Sequence, residues 1–431
     1  MKAIQLPSAL FTLNRERLVK KLLPRSLAVL NANDLMPTNA DGTMGHLQNA
    51  DLFYLTGVHQ EETILLLAPD AFDPNHREIL FVRQPDEQLA IWEGHKLTKE
   101  SATKISGIKN VKWLAEFPVI FRQVICEMQN VYLNSNEHQR ADATVETRDV
   151  RFIRDCRKKF PLHRYQRLAP LMHELRVVKS EHEIAAIKAT CNLTGKGFKR
   201  ACKFVKPGVN EAEIEAVFAH EFIRHKGQFA YPPIIAGGAN NNILHYGQND
   251  QVCKKGELLL LDVGAGLGNY MSDLTRTIPV SGKFSRRQQQ VYNAVLRIFR
   301  VQVAALVPGK TTKDLRTECE ELTAKECVDL GLLKMSDIKK QKPDEPAVKR
   351  FFMHGVSHPI GLDVHDVTCN HFKIAPGWVL TVEPAIYIPK ENFGVRLENT
   401  VLVTENGQLD LMADIPIEAD EIEDLMNRRH N

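Results

Sequence analysis

GELLLLDVGAGLGNYMSDLTRTIPVSG, the stretch from Gly256 to Gly282, is typical of a β-hairpin, with an apolar run, the turn GLGN and a second, alternating run. Symmetric pairing about Leu267 and Gly268 would place Asp262 opposite Asp273, with their Cβ atoms about 5 Å apart. Because leucine is a poor first residue for a two-residue turn, the register of this hairpin stays open.

Two carboxylates so close together destabilise a hairpin unless a shared proton or a positive group lies between them. Asp262 also follows a run of four leucines, where an unpaired carboxylate would be costly. The positive group could be an arginine, a lysine or a metal cluster. The alternative is an aspartate exposed to solvent at the end of a strand, and the apolar surroundings of Asp262 make this interpretation less favourable. The pair therefore indicates a functional site.

A second acidic pair lies in VLTVEPAIYIPKENFGVRLENTVLVT, from Val379 to Thr404, where two β-rich runs flank a predicted six-residue loop, PKENFG. Glu383 lies in the first run and Glu398 in the second, within one register step of direct opposition. Arg396 is two residues from Glu398 on the same strand face. A surface ladder of arginine and glutamate is therefore the competing interpretation of this segment.

Between the two hairpins lies HGVSHPIGLDVHD, from His354 to Asp366. His354 and His358 have the spacing of the histidine pair in helical zinc peptidases, but two glycines and a proline in the stretch make a helix improbable. The four carboxylates carry four negative charges, which two divalent cations would balance. Carboxylate and imidazole ligands suit manganese, cobalt, zinc or iron. Two such ions about 3.5–4 Å apart can hold a bridging hydroxide and polarise a carbonyl.

The length of 431 residues predicts two domains. A content of 43% hydrophobic and 25% charged residues is typical of a soluble globular protein. The net charge of +3 gives no general basic face for nucleic acid. No apolar run approaches the roughly 18 residues of a membrane helix. Eight cysteines without a C-x-x-C pair indicate reduced thiols in the cytoplasm.

The order of the elements predicts an α/β first domain, residues 1–172, and a second domain, residues 173–431. The runs LAVLNAN, TILLLAP, EILFVRQ and NVYLNSN are expected to be buried strands. The basic N-terminus favours an amphipathic helix from Asn14 to Leu23 over an organelle transit peptide. Ser180 and Glu183 form a predicted capping box at a helix start. VKPGVNEAEIE and LVPGKTTKDLR suggest two similar helix pairs.

The ordered set D…D…H…E…E, in DVGAGLGNYMSDLTRT, HGVSHPIGLDVHD, TVEPAIYIP and VRLEN, resembles the metallopeptidases of the pita-bread fold. That family includes methionine aminopeptidase, aminopeptidase P and prolidase. QNADLFYLTGVHQEETILLLAP further resembles the N-terminal domain of aminopeptidase P, which methionine aminopeptidases lack. The resemblance implies an α/β N-terminal domain followed by an α+β pita-bread catalytic domain of the creatinase and methionine aminopeptidase type.

The resemblance also implies roles for the five residues of the ordered set. Asp262 would bind one metal ion and Asp273 would bridge both ions. His358 and Glu383 would bind the second ion, and Glu398 would bridge. Glu383 would in addition be the acid/base that passes a proton toward the leaving amine.

Four further residues match positions around the family's metal site, two of them in its outer site and two in supporting positions. His245, in NNILHYGQND, matches an outer-site histidine. His365 resembles the residue that contacts the substrate carbonyl. His354 and Arg396 resemble supporting residues, and Arg396 could orient the bridging carboxylates by fork hydrogen bonds.

Three other positions in HGVSHPIGLDVHD are interpreted differently. Pro359 stands where many relatives have a bulky residue, which leaves the ligand spacing intact and affects only the expected pocket wall. Asp363 and Asp366 are expected to have structural roles.

The implied activity is hydrolysis of the bond between an N-terminal residue and a following proline. The implied cofactor is two divalent metal ions, with Mn²⁺ preferred and Co²⁺ or Zn²⁺ as alternatives. Prolidase, which acts on Xaa-Pro dipeptides, shares all five ligands and is the alternative, followed by a pita-bread module without catalysis. The expected substrates are peptides with proline in second position. The chain is expected to form a homodimer or homotetramer and to bind neither nucleic acid nor membrane.

Overall fold

The computed structural model describes residues 6–142, 144–342, 345–368 and 372–428, without the side chain of Leu89. The chain divides into two compact units, one ending at Arg176 and the other beginning at Val177. The boundary predicted between residues 172 and 173 falls slightly earlier, inside a helix that spans Ala169–Val177.

The first unit contains a six-stranded sheet with the order β4-β3-β2-β1-β5-β6. β1 pairs in parallel with β5 and antiparallel with β2, so the sheet is mixed. Its strands are β1 Ser26–Asn31, β2 Ile64–Leu67, β3 Glu78–Val82, β4 Val111–Trp113, β5 Asn130–Leu133 and β6 Arg164–Arg167. Its helices are α1 Ser8–Val19, α2 Ala50–Thr56, α3 Glu87–Glu93, α4 Lys99–Ser106, α5 Phe117–Glu127, α6 Arg148–Lys159 and α7 Ala169–Val177.

The four strands predicted from apolar runs are present as β1, β2, β3 and β5. β4 and β6 carry no such run, because their sequences are the short VKW and the polar RYQR. The bounds predicted for the first helix, Asn14 to Leu23, were wrong. The helix begins after Pro7, whose missing N–H is harmless at a helix start, and ends at Val19.

The second unit surrounds small antiparallel sheets with long helices. Its helices are α8 Glu181–Phe204, α9 Glu211–Arg224, α10 Arg286–Ala305, α11 Thr312–Asp329, α12 Met335–Lys339 and α13 Ala419–Asn427. Its strands are β7 Gln228–Phe229, β8 Ile234–Gly237, β9 Leu258–Asp262, β10 Ala265–Leu267, β11 Tyr270–Met271, β12 Thr275–Pro279, β13 Val379–Val382, β14 Ala385–Ile388, β15 Phe393–Arg396, β16 Asn399–Thr404 and β17 Gly407–Asp410. They form the sheets β12-β9-β8, β11-β10-β7, β13-β16-β17 and β14-β15.

The predicted helix signals of this unit are confirmed. Ser180 and Glu183 form a capping box at the start of α8. Both Pro-Gly sequences connect a long helix to a second helix, α8 to α9 and α10 to α11. Gly208 and Gly309 occupy positive φ angles of 94° and 96°, which glycine adopts without steric cost.

The register of the first hairpin, which the sequence left open, differs from the symmetric pairing about Leu267 and Gly268 by a one-residue shift of the turn. The turn residues are Gly268 and Asn269, both in the left-handed region with φ of 61° and 67°, and Leu267 pairs with Tyr270. Glycine and asparagine tolerate this conformation and leucine does not, so the turn moved one residue along the chain. Asp262 therefore pairs with Thr275 instead of Asp273.

The second hairpin turns through residues 389–392, a shorter loop than the predicted six residues, because Phe393 already begins β15. Val382 pairs with Asn399 and Ala385 with Arg396. The positions between these pairs, Glu383 and Glu398, therefore lie opposite one another across a break in the ladder.

Seven cysteines are described, and none of these seven forms a disulfide. Cys369 lies outside the described residues. No helix in the described ranges is both long and apolar enough to cross a membrane.

Candidate active site

The two aspartates of the first hairpin meet at a tyrosine. The Tyr231 hydroxyl lies 2.6 Å from Asp262 Oδ1 and is also within hydrogen-bond distance of Asp273 Oδ1. Asp262 pairs with Thr275, and the Val263 N–H donates to Leu274 O at 2.9 Å, so the two strands stay paired toward Asp273. Asp273, two residues from Thr275, is therefore the diagonal neighbour of Asp262 on the same face of the hairpin. The predicted proximity of Asp262 and Asp273 therefore holds, although they are not cross-strand partners.

The two hairpins are joined directly at Thr275 and Glu398. The Glu398 N–H donates to Thr275 O at 3.0 Å, and Thr275 Oγ1 donates to Glu398 Oε2 at 2.6 Å. Glu398 is only 2% exposed. The contact with Thr275 of the first hairpin thus places the Glu398 carboxylate beside the two aspartates.

His358 lies in an extended segment that runs along β13. Its N–H donates to Thr381 Oγ1 at 3.1 Å, and its carbonyl accepts from the Thr381 N–H at 2.9 Å. Nδ1 lies 3.0 Å from Pro359 O, so Nδ1 carries a proton, and Nε2 is the nitrogen that could bind a metal ion. Nε2 lies 3.6 Å from Asp273 Oδ2 and 3.8 Å from Glu383 Oε1.

Three of these side chains could share one metal ion. Ligand atoms of Asp273, His358 and Glu398 lie within 4.8 Å of one another, and all three residues are buried. Within the described residues this is the one such group of histidine, cysteine and carboxylate ligands. Asp262 and Glu383 adjoin the group, through Tyr231 and His358.

Two glutamates of the site, Glu398 and Glu383, resist ionisation. Burial raises the pKa of Glu398 well above its usual range, and Asp273 and Glu383 beside it raise it further. Burial likewise raises the pKa of Glu383 to about 7. Burial alone would lower the pKa of His358, but neighbouring Asp273 and Glu383 raise it overall. Such a concentration of buried acid favours a bound cation.

Arg396 contacts a different carboxylate from the one expected. Its guanidinium donates to Asp262 Oδ2, to Thr275 Oγ1 at 3.2 Å and to the Tyr387 hydroxyl at 2.7 Å. The prediction that it binds the bridging carboxylates, Asp273 and Glu398, was therefore wrong. The register shift of the first hairpin brings Asp262 to Arg396, which reaches Glu398 only through Thr275.

His354 completes a hydrogen-bonded chain. Nδ1 lies 2.6 Å from Gly355 O, so this nitrogen donates, and Nε2 accepts from the Tyr387 hydroxyl at 2.9 Å. Burial, with the charge of Arg396, lowers the pKa of His354 to about 3, so the ring is neutral. Nδ1 also lies 3.5 Å from Glu383 Oε2. The chain runs from Asp262 through Arg396 and Tyr387 to His354.

The other two predicted histidines lie at the edge of the site. The ring of His365 lies 4.5 Å from that of His358, at 89° to it. His245 is exposed, in a turn after a 3₁₀ helix, and its charge is among those that lower the pKa of His354. All nine predicted site residues therefore lie in one region of the second unit.

Three contributing residues were missed: Tyr231, Thr275 and Tyr387. Tyr231 precedes two prolines between short strands, and nothing in its local sequence marks it. Thr275 and Tyr387 alternate with neighbours in strands, where threonine and tyrosine are common. Only their position two to four residues from the predicted acids could have indicated them.

Comparison with known proteins identifies the class of this site. Residues 185–405 match the model of metallopeptidase family M24, and the chain belongs to that family. Residues 11–132 match the N-terminal domain of aminopeptidase P. The α/β domain followed by a pita-bread domain, expected from the motifs, is thereby confirmed.

The full-length relatives narrow the class. An Xaa-Pro aminopeptidase of Haemophilus influenzae is 33% identical over 98% of each chain. The Xaa-Pro aminopeptidase of Escherichia coli is 32% identical over 96% of this chain and 97% of its own. The structure of zinc-substituted E. coli aminopeptidase P in complex with product superimposes with a TM-score of 0.88 at 31% identity, over 99% of this chain and all of that one. The predicted resemblance to the aminopeptidase P branch is confirmed.

Proposed function

We propose that this chain is a metal-dependent Xaa-Pro aminopeptidase, which releases the N-terminal residue from peptides with proline in second position. The observation that carries the proposal is the convergence of four carboxylates and His358 on one buried region, in a chain whose full-length relatives are Xaa-Pro aminopeptidases.

The donor set fits divalent metal. Asp262, Asp273, His358, Glu383 and Glu398 would hold two ions, Mn²⁺ first and Co²⁺ or Zn²⁺ as alternatives. Bound metal would supply an activated water and a Lewis acid for the peptide carbonyl. The hydrogen bond from Nδ1 of His358 to Pro359 O supports its role, because it leaves Nε2 as the nitrogen that would bind the ion.

The chain's own residues would orient substrate and move protons. Glu383 would hold a proton at a carboxylate oxygen and pass it to the leaving nitrogen. His365 would donate a hydrogen bond to the substrate carbonyl oxygen, and His245 would flank the substrate on the exposed side. His354, neutral and hydrogen-bonded on both nitrogens, would form part of the pocket wall.

Prolidase is the alternative activity, because it shares all five ligands. The full-length match to Xaa-Pro aminopeptidases and the N-terminal domain of aminopeptidase P favour the main proposal. A module without catalysis is disfavoured because the chain keeps all five ligands and folds them together.

The test is hydrolysis of peptides by protein reconstituted with Mn²⁺, Co²⁺ or Zn²⁺. Xaa-Pro-Xaa peptides should lose their first residue, and Xaa-Pro dipeptides should be poorer substrates. Faster cleavage of the dipeptides would favour prolidase, and no cleavage with any of the three metals would refute the proposal. Light scattering of the same sample would test the proposed homodimer or homotetramer.

The proposed cytoplasmic location rests on the unpaired cysteines.

A further inference from the structure

A buried ion pair lies beneath the segment from His358 to Asp366, here named the histidine loop. Lys179 Nζ lies 3.0 Å from Asp366 Oδ2, and the two side chains are only 1% and 2% exposed. Replacing a buried ion pair by apolar residues often leaves stability unchanged. A role in geometry therefore explains this pair better than a role in stability.

Asp366 closes the histidine loop. Its N–H donates to Pro359 O at 2.9 Å, and its Oδ1 accepts from the Val367 N–H at 2.9 Å. Lys179 is itself anchored, because its N–H donates to Gly377 O at 2.8 Å. The ion pair thus ties the end of the loop to the segment that leads into α8.

The loop passes directly over the ion pair at Gly361. A Cβ atom at this position would lie 2.2 Å from Asp366 Oδ2 and 3.0 Å from Lys179 Cε. On its other side, Gly361 O accepts from the Met271 N–H of the first hairpin at 2.8 Å. The loop is therefore held between the first hairpin and the ion pair.

We propose that Lys179 and Asp366 are positioning residues for His365, which directly precedes Asp366. The proposal rests on the proposed function, in which His365 contacts the substrate carbonyl. His358, at the other end of the loop, has its own support in two hydrogen bonds with Thr381. Loss of the ion pair should therefore displace His365 and leave metal binding by His358 intact.

The test uses Asp366→Asn, which keeps the shape of the side chain and removes its charge. Asp51→Asn is the matched control, because Asp51 pairs with buried Arg176 at 2.8 Å in the other unit. For Asp366→Asn, kcat on an Xaa-Pro-Xaa peptide should fall by about a hundred-fold, the loss typical of a catalytic group misplaced by roughly 1 Å. Mn²⁺ affinity by calorimetry should be unchanged, and hydrogen exchange at the Asp366 amide should accelerate. The control should match wild type in all three.

A His365→Ala background separates positioning from a general structural effect. There, Asp366→Asn should cost little further activity, because both changes remove the same contribution. Full additivity, wild-type kcat, or a fall in Mn²⁺ affinity parallel to kcat would overturn the proposal.

A double variant covers the case in which Asp366→Asn does not fold. Lys179→Met with Asp366→Leu removes both charges and should fold, yet show the same loss of kcat. Full activity of this variant would also overturn the proposal. If wild-type protein cleaves no Xaa-Pro peptide, the proposed function fails, while amide exchange still decides whether the ion pair holds the loop.

Discussion

Replacing Tyr387 by phenylalanine breaks the hydrogen-bonded chain from Asp262 to His354 at its centre. Tyr387 is completely buried, and its hydroxyl accepts from Arg396 and donates to His354 at 2.7 and 2.9 Å. Phenylalanine keeps the ring in place and removes one oxygen. One guanidinium N–H and one imidazole nitrogen then lose their partners in a buried site.

The structure sets the expected size of the effect. A hydrogen bond from a charged donor contributes roughly 1.5–3 kcal/mol and a neutral one about 1 kcal/mol, so Tyr387→Phe should lower the free energy of unfolding by about 2.5–4 kcal/mol. Arg396 also holds Asp262, a predicted metal ligand. A small shift of that carboxylate should reduce kcat about ten- to hundred-fold.

Denaturant unfolding of metal-free protein and steady-state kinetics of metal-loaded protein measure the two effects. Tyr292→Phe is the matched control, because Tyr292 is equally buried in the same unit and donates one neutral hydrogen bond, to Ile417 O at 2.7 Å. It should lose about 1 kcal/mol of stability and keep its kcat. If the two variants behave alike, the chain through Tyr387 does not hold Arg396 in place, and the reasoning fails.

Three further predictions concern single positions. His358→Ala should abolish turnover and weaken metal binding while the circular dichroism spectrum stays native, and retained activity would show that another histidine binds the metal. Burial raises the pKa of Asp149 from 3.8 to about 7, so the folded chain keeps a proton that the unfolded chain loses, and stability falls as pH rises between these values. Asp149→Asn should therefore melt above wild type at pH 8 and equal it at pH 4, and a constant difference would contradict the assignment. Gly264→Ala should be strongly destabilising in thermal melts, because its Cβ would lie 1.9 Å from Ser272 O, and a native melting temperature would rule out that close approach.

The sequence predicted which residues form the site better than it predicted how they meet. Asp262 and Glu383 were found because an acid in an apolar strand demands a partner, and that cost is visible in the sequence itself. The register stayed open because it depends on which two residues occupy the left-handed region. Gly268 and Asn269 suit it as a pair, and moving the turn by one residue gave Asp262 a new cross-strand partner.

The supporting residues could not be predicted for a different reason. Tyr231 contacts Asp262 and Asp273, which follow it by 31 and 42 residues, and Tyr387 joins Arg396 of its own hairpin to His354, 33 residues earlier. Tyrosine is common in both surroundings. Arg396 was recognised as a member of the site, but its partner followed from the register of another hairpin. Local sequence identifies groups that are costly to bury, whereas their partners depend on tertiary packing.

The bond between Thr275 and Glu398 joins residues 123 positions apart in the chain. Bringing these two residues together closes a long loop, and the loss of chain entropy is larger than for forming either hairpin alone. The two halves of the site should therefore come together late in folding. An early intermediate would hold each acidic pair separately and bind metal weakly. Tight binding of metal added during refolding would then mark the step at which the fold is complete. The binding free energy would mainly stabilise the contact between the two hairpins.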